Sequence, residues 1–195
     1  MTTNESFPKF DLPVDFIADD SITGDILNYY GNFPCKIKAG VFVLCTEGMV
    51  RATINLLEIV IRKNDFIAVL PNSFIQIHEV SSDTRISFAG FSSDFMLSGN
   101  YVEILLDFMP MILNSPVISL QEDVAGLYRN VYLLLIRAYT LPHSLENKEI
   151  IRSVLAIFLQ GTKELYKRYG KKLDEPLRRE QELYRQFIQL LMAHY

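Results

Sequence analysis

The stretch VFVLCTEGMVRATINLLEIVIRKNDFIAVLPNSFIQIHEVSSDTRISFAGF, residues 41–91, decides how this chain folds. Its apolar residues recur at every second position. Val50, Ala52 and Ile54 alternate with Arg51 and Thr53, and Ile59 and Ile61 with Glu58, Val60 and Arg62. The pattern continues with Ile75 and Ile77 against Gln76 and His78, then Ile86 and Phe88 against Arg85 and Ser87. Between these runs stand Glu47-Gly48, Asn55, Lys63-Asn64-Asp65, Pro71-Asn72-Ser73 and Ser81-Ser82-Asp83, the residue types that turns favour. Period two broken by turns indicates antiparallel strands with one face on a core. We read five strands in close succession, with VFVLCT and MVRATI forming one hairpin.

Energy fixes the register. Sliding each strand by one residue buries Arg51, Glu58, Arg62 and Arg85 and exposes the isoleucines. An unpaired buried charge costs several kcal/mol, whereas a whole domain is stable by only about 5–15 kcal/mol. The inward set is therefore Val50, Ala52, Ile54, Ile59, Ile61, Val69, Ile75, Ile77, Ile86 and Phe88. Short antiparallel strands in this layout predict a small jelly-roll barrel.

The rest of the chain sets bounds on function. Of its 195 residues, 49% are hydrophobic and 22% charged, the composition of an ordinary globular protein. The start, MTTNESFPKF, lacks the basic and apolar regions of an export signal. Charges and Pro110 interrupt the apolar runs before any reaches the roughly 18 residues of a membrane span. Cys35 and Cys45 are accordingly read as reduced thiols of a cytoplasmic protein. The formal net charge is −4. Residues 1–160 carry 11 Lys and Arg against 18 Asp and Glu, while residues 161–195 carry 8 against 5. An acidic body argues against direct contact with nucleic acid, whose binding rests on neutralising phosphates.

Residues 1–34 hold Pro8, Pro13, Gly24, Gly31 and Pro34 and are read as irregular, with a short helical segment at 26–30. After Phe91 the period becomes helical. One helix is expected over 101–109, stopped by Pro110, and a second over 121–139. A third runs over 145–169 and ends at Gly170, a residue suited to a helix C-terminus. The third helix has a wide apolar arc. An arc that wide fits either a helix sunk in one core or one that touches both its own barrel and a partner's helix. On the second reading Ile150, Ile151, Val154, Leu155, Ile157 and Phe158 serve dimerisation. A last amphipathic helix follows Asp174-Glu175-Pro176, and its apolar face is still running at Tyr195. We read it as leading into a further domain. The organisation expected is a barrel over 1–95, a helical segment over 96–172, and a connecting helix over 173–195.

Chemistry-bearing motifs are scarce. The sequence has no nucleophile elbow, phosphate loop or dinucleotide fingerprint. Ser92 and Ser93 before Asp94 read as a helix cap. The segment KNDFIAVLPNSFIQIH, residues 63–78, matches the second signature of cupin barrels. Together with the helices and the closing REQELYRQFIQLLMAHY, residues 179–195, the order resembles the N-terminal half of AraC-family bacterial transcription regulators. The resemblance covers roughly residues 35–195. It implies an α+β fold with a cupin-like antiparallel barrel and a helical segment, acting in ligand sensing and homodimerisation. DNA would then be bound only through a helix-turn-helix domain absent from this chain.

The chain departs from metal-binding cupins where it matters most. Those proteins place two histidines and a glutamate on the early strands and a further histidine soon after the Pro-turn. Here VFVLCTEGMVRATI holds no histidine, Ile75 stands where the later ligand is expected, and His78 falls on the outward face. His143 and His194 lie in a loop and at the chain's end. No metal, cofactor or catalytic residue is therefore expected. A small effector would meet Ile54, Ile59, Ile75, Ile77 and Phe88 in the lining, and Tyr29, Arg51 or Arg85 at the mouth. The alternatives are a metal-dependent small cupin enzyme and a free-standing small-molecule-binding cupin.

Overall fold

The structure is a computed structural model that describes residues 9–30, 33–97, 101–140 and 148–170. In chain order its strands are β1 (Lys9–Phe10), β2 (Phe16–Thr23), β3 (Cys35–Ile37), β4 (Gly40–Glu47), β5 (Met49–Ile54), β6 (Leu57–Arg62), β7 (Asp65–Val69), β8 (Ser73–Val80), β9 (Arg85–Phe91) and β10 (Val117–Ser119). The helices are α1 (Gly24–Tyr30), α2 (Ser93–Leu97), α3 (Tyr101–Asn114), α4 (Glu122–Thr140) and α5 (Lys148–Tyr169). Sheet A has the order β1-β3-β8-β5-β6, and sheet B the order β10-β7-β4-β9-β2. All pairings are antiparallel except β1 with β3. Strands followed by helices make the fold α+β.

Residues 41–91 form six strands where five are read from the sequence, and VFVLCT and MVRATI do not form a hairpin. β4 pairs with β7 and β9 in sheet B, whereas β5 pairs with β6 and β8 in sheet A. Gly48 is a corner that carries the chain from one sheet to the other. Its φ is +77°, and a Cβ there would lie 2.5 Å from the Thr84 Cα. The corner abuts the β8–β9 corner: Met49 N–H donates to Ser81 Oγ (2.8 Å), and Ser81 N–H to the Met49 carbonyl (2.9 Å). The hairpin within this region is β5–β6, turned by Asn55 and Leu56, both at positive φ.

Residues 9–30 are more ordered than Pro13 and Gly24 suggest. The short helix expected at 26–30 is α1, but β2 precedes it as an eight-residue edge strand of sheet B. Asp19 and Asp20 hide it in the sequence, where a register shift between Asp19 and Ile22 breaks the alternation. Pro110 does not stop α3, which continues to Asn114. The last segment, 173–195, lies outside the described residues, as do His143 and His194.

Sheet B is apolar on both faces, and this places the two cores. Phe42, Leu44, Phe66, Ala68, Ala89 and Phe91 point away from sheet A into a cluster shared with α4 and α5. There Phe158 lies edge-on to Phe42 (5.3 Å between ring centroids) and to Tyr132 (5.3 Å), and Phe66 lies edge-on to Tyr128 (5.1 Å). The alternate residues Val41, Cys45, Ile67, Val69 and Ile86 form the second cluster with the inward face of sheet A. Ser92 caps α2, accepting from the Phe95 N–H at 3.2 Å, as its position predicts.

Candidate functional site

The inter-sheet layer is built from ordinary strand geometry. Every one of the ten residues read as inward from alternation lies in it. Sheet A contributes Val50, Ala52, Ile54 and Ile61, all buried, and Ile59, Ile75 and Ile77, which are half-buried. Sheet B faces them with Val41, Cys45, Ile67, Val69 and Ile86, again with half-buried Val43 and Phe88. Gly90 is bare on this face because a Cβ would meet Phe88 Cζ at 2.8 Å and Leu12 Cδ1 at 2.9 Å. Leu12, Ile22, Leu27 and Ile37 complete the layer from segments that show no period by which to place them.

Two properties set what this layer can do. Half-buried side chains that point between the sheets are reached by solvent, so the layer is not sealed. Its named residues are also hydrocarbon throughout, apart from one thiol. Cys45 Sγ donates to the Glu47 carbonyl at 3.3 Å. Burial, and next the negative charge of Asp65, push that thiol up to about 11. It stays protonated near neutral pH and is no nucleophile. Asp65 itself closes the end of the layer, its carboxylate accepting from the Arg62 N–H (2.7 Å) and the Ser119 hydroxyl (2.6 Å). Among the described residues, no three His, Cys, Asp or Glu side chains are grouped to hold a metal ion.

The expected mouth residues fall elsewhere. Arg51 lies on the outer face of sheet A, where it pairs with Glu58 and Glu79, both at 3.3 Å. Arg85 is exposed and pairs with Glu47 at 3.3 Å. Each has a carboxylate across the strand, a partner that alternation alone does not reveal. His78 is likewise outward, with Nε2 2.7 Å from Thr53 Oγ1. The side chain of Tyr29 lies outside the described residues.

The residues assigned to dimerisation divide in the same way. Val154, Leu155 and Phe158 are buried in the chain's own helix-facing core, with Leu155 and Phe158 at 0% exposure. They are thereby covered by the chain itself. Ile157 is 60% exposed, and the side chains of Ile150 and Ile151 lie outside the described residues.

The helix-facing core also holds hydroxyls that the sequence did not single out. Tyr166 OH accepts from the Ala68 N–H (3.2 Å) and donates to the Pro116 carbonyl (3.0 Å), pinning α5 to the β7–β10 seam. Tyr128 OH donates to the Phe158 carbonyl (2.9 Å) and is hydrogen-bonded to Thr162 Oγ1, joining α4 to α5. Burial raises both phenols well above their usual range. Tyrosines at helical spacing read as core, and nothing in a sequence shows which carbonyl each one reaches.

No protein-family profile and no curated protein matches the sequence. Among solved structures, the chain is similar to the AraC-like transcriptional activator CuxR, with 10% identity and a TM-score of 0.44 over 80% of this chain and 52% of that one. It is similar to ToxT from Vibrio cholerae, with 12% identity and a TM-score of 0.41 over 92% and 66%. It is also similar to the EutQ protein of Clostridium difficile, with 14% identity and a TM-score of 0.28 over 40% and 55%. The chain thus spans between about half and two-thirds of the length of these proteins. No helix among the described residues is long and apolar enough to cross a membrane.

Proposed function

We propose that this chain is the sensing and self-associating region of a cytoplasmic AraC-like transcription regulator, and that it takes an apolar small molecule between its two sheets. The observation that carries the reading is the alternation across sheet B. β4, β7 and β9 give every second side chain to the open inter-sheet layer and the others to the core beneath α4 and α5. A molecule that spreads Val43, Ile67 or Phe88 shifts the same strands that seat Phe42, Phe66 and Phe91 under the helices. A small displacement of a packed core is passed on because close-packed side chains do not yield independently. The family assignment draws on the cupin-like segment 63–78 and on the order of barrel and helices. On this reading DNA is bound by a helix-turn-helix domain outside this chain, and two copies set the spacing of half-sites.

The test couples binding to output. The chain is fused to a DNA-binding unit that represses a reporter only as a pair, and uncharged apolar compounds are ranked by how far they raise the chain's melting temperature. The reading expects the strongest stabilisers to change reporter output. Stabilisers that leave output untouched would contradict a regulator. Tight stoichiometric metal that restores an enzymatic turnover would turn the reading toward the cupin enzyme.

A further inference from the structure

Val154, Leu155 and Phe158 are buried inside the chain, whereas α4 carries an exposed apolar stripe. Val124, Leu127, Val131, Leu134 and Ala138 follow one another at spacings of three and four, two heptads of a seam. Leu127 is 66% exposed and Leu134 47%, while Val124 and Val131 are half-buried against the chain's own core and Ala138 is half-buried. One flank of the seam is the chain's own body, because Tyr128 and Leu135 are buried. The other flank carries Asp123, Asn130 and Arg137 at intervals of seven, all exposed.

This face is its own complement when reversed. About a two-fold axis between Asn130 and Val131, Leu127 falls level with Leu134. Asp123 falls within one residue's rise, about 1.5 Å, of Arg137. In an antiparallel pair the flank residues of one helix adjoin the same flank of the other, so opposite charges meet twice. In a parallel pair this polar flank would meet the opposite flank, which the chain already buries. We infer that α4 seats on α4 of a second copy, antiparallel, with Leu127 against the partner's Leu134 and Asp123 against the partner's Arg137. The inference rests on the pairing proposed above and specifies its surface.

Charge reversal tests it, read by sedimentation equilibrium of the whole chain across a concentration series, with melting curves to verify folding. Arg137→Asp and Asp123→Arg each place like charges together at two symmetric sites. Each is expected to weaken the dimer roughly tenfold, an effect that high salt reduces. The double variant Asp123→Arg/Arg137→Asp re-forms both pairs and is expected to return to within about threefold of the parent. Leu134→Glu is expected to give a monomer. A parent dimer unaffected by these changes, or a double variant weaker than either single one, overturns the α4 surface alone. A parent that stays monomeric at every concentration overturns both this surface and the pairing on which it rests.

Discussion

Tyr128 and Tyr132 stand one turn apart on α4, both buried, yet their hydroxyls meet opposite circumstances. Tyr128 OH binds the Phe158 carbonyl and Thr162, while the buried Tyr132 OH has no hydrogen-bond partner among the described residues. A buried polar group left unmet costs its desolvation, whereas a met one contributes about 1 kcal/mol. Tyr132→Phe is therefore expected to leave stability unchanged or raise it by up to about 1 kcal/mol. Tyr128→Phe is expected to lower it by about 1–2 kcal/mol. Denaturant titration of the two variants checks the contrast, and equal losses would contradict it. At this scale the sequence is legible where a residue's face decides its fate. Ile59, Ile75 and Ile77 were placed by alternation alone. It is not legible where a partner distant in sequence decides, as with Arg51 and its carboxylates on β6 and β8, or Tyr166 and the Ala68 N–H.

At the scale of elements, turn chemistry showed where strands end but not which strands pair. Glu47-Gly48 looks like a hairpin turn, yet β4 and β5 lie in different sheets. What excludes a side chain at Gly48 is the neighbouring β8–β9 corner, a contact of long sequence separation. Gly48→Ala meets both an unfavourable positive φ and the Thr84 backbone, and is expected to cost about 2–3 kcal/mol by thermal or chemical unfolding. A loss below about 0.5 kcal/mol, the range of a neutral surface change, would show that this corner is loose. β2 escaped the sequence reading for a related reason: its bulge at Asp19–Ile22 shifts the period midway, so neither half is long enough to stand out. The α5 residues Leu155 and Phe158 sit in the chain's own core, a seat with which a wide apolar arc is as compatible as with a partner's helix. Only packing against sheet B separates the two.

The described residues form two apolar cores that share one sheet. The core under the helices is closed by aromatic contacts, and the inter-sheet layer remains reachable at Ile59, Ile75, Ile77 and Phe88. On the proposed function this open layer receives an uncharged apolar molecule. Fluorescence titration with the neutral dye N-phenyl-1-naphthylamine, run on the parent chain and on Ile77→Trp, probes the layer itself. Saturable binding by the parent is expected, with affinity weakened roughly tenfold or more when the tryptophan fills the layer of a still-folded chain. Absence of saturable binding by the parent, or equal affinity in the two proteins, would contradict it.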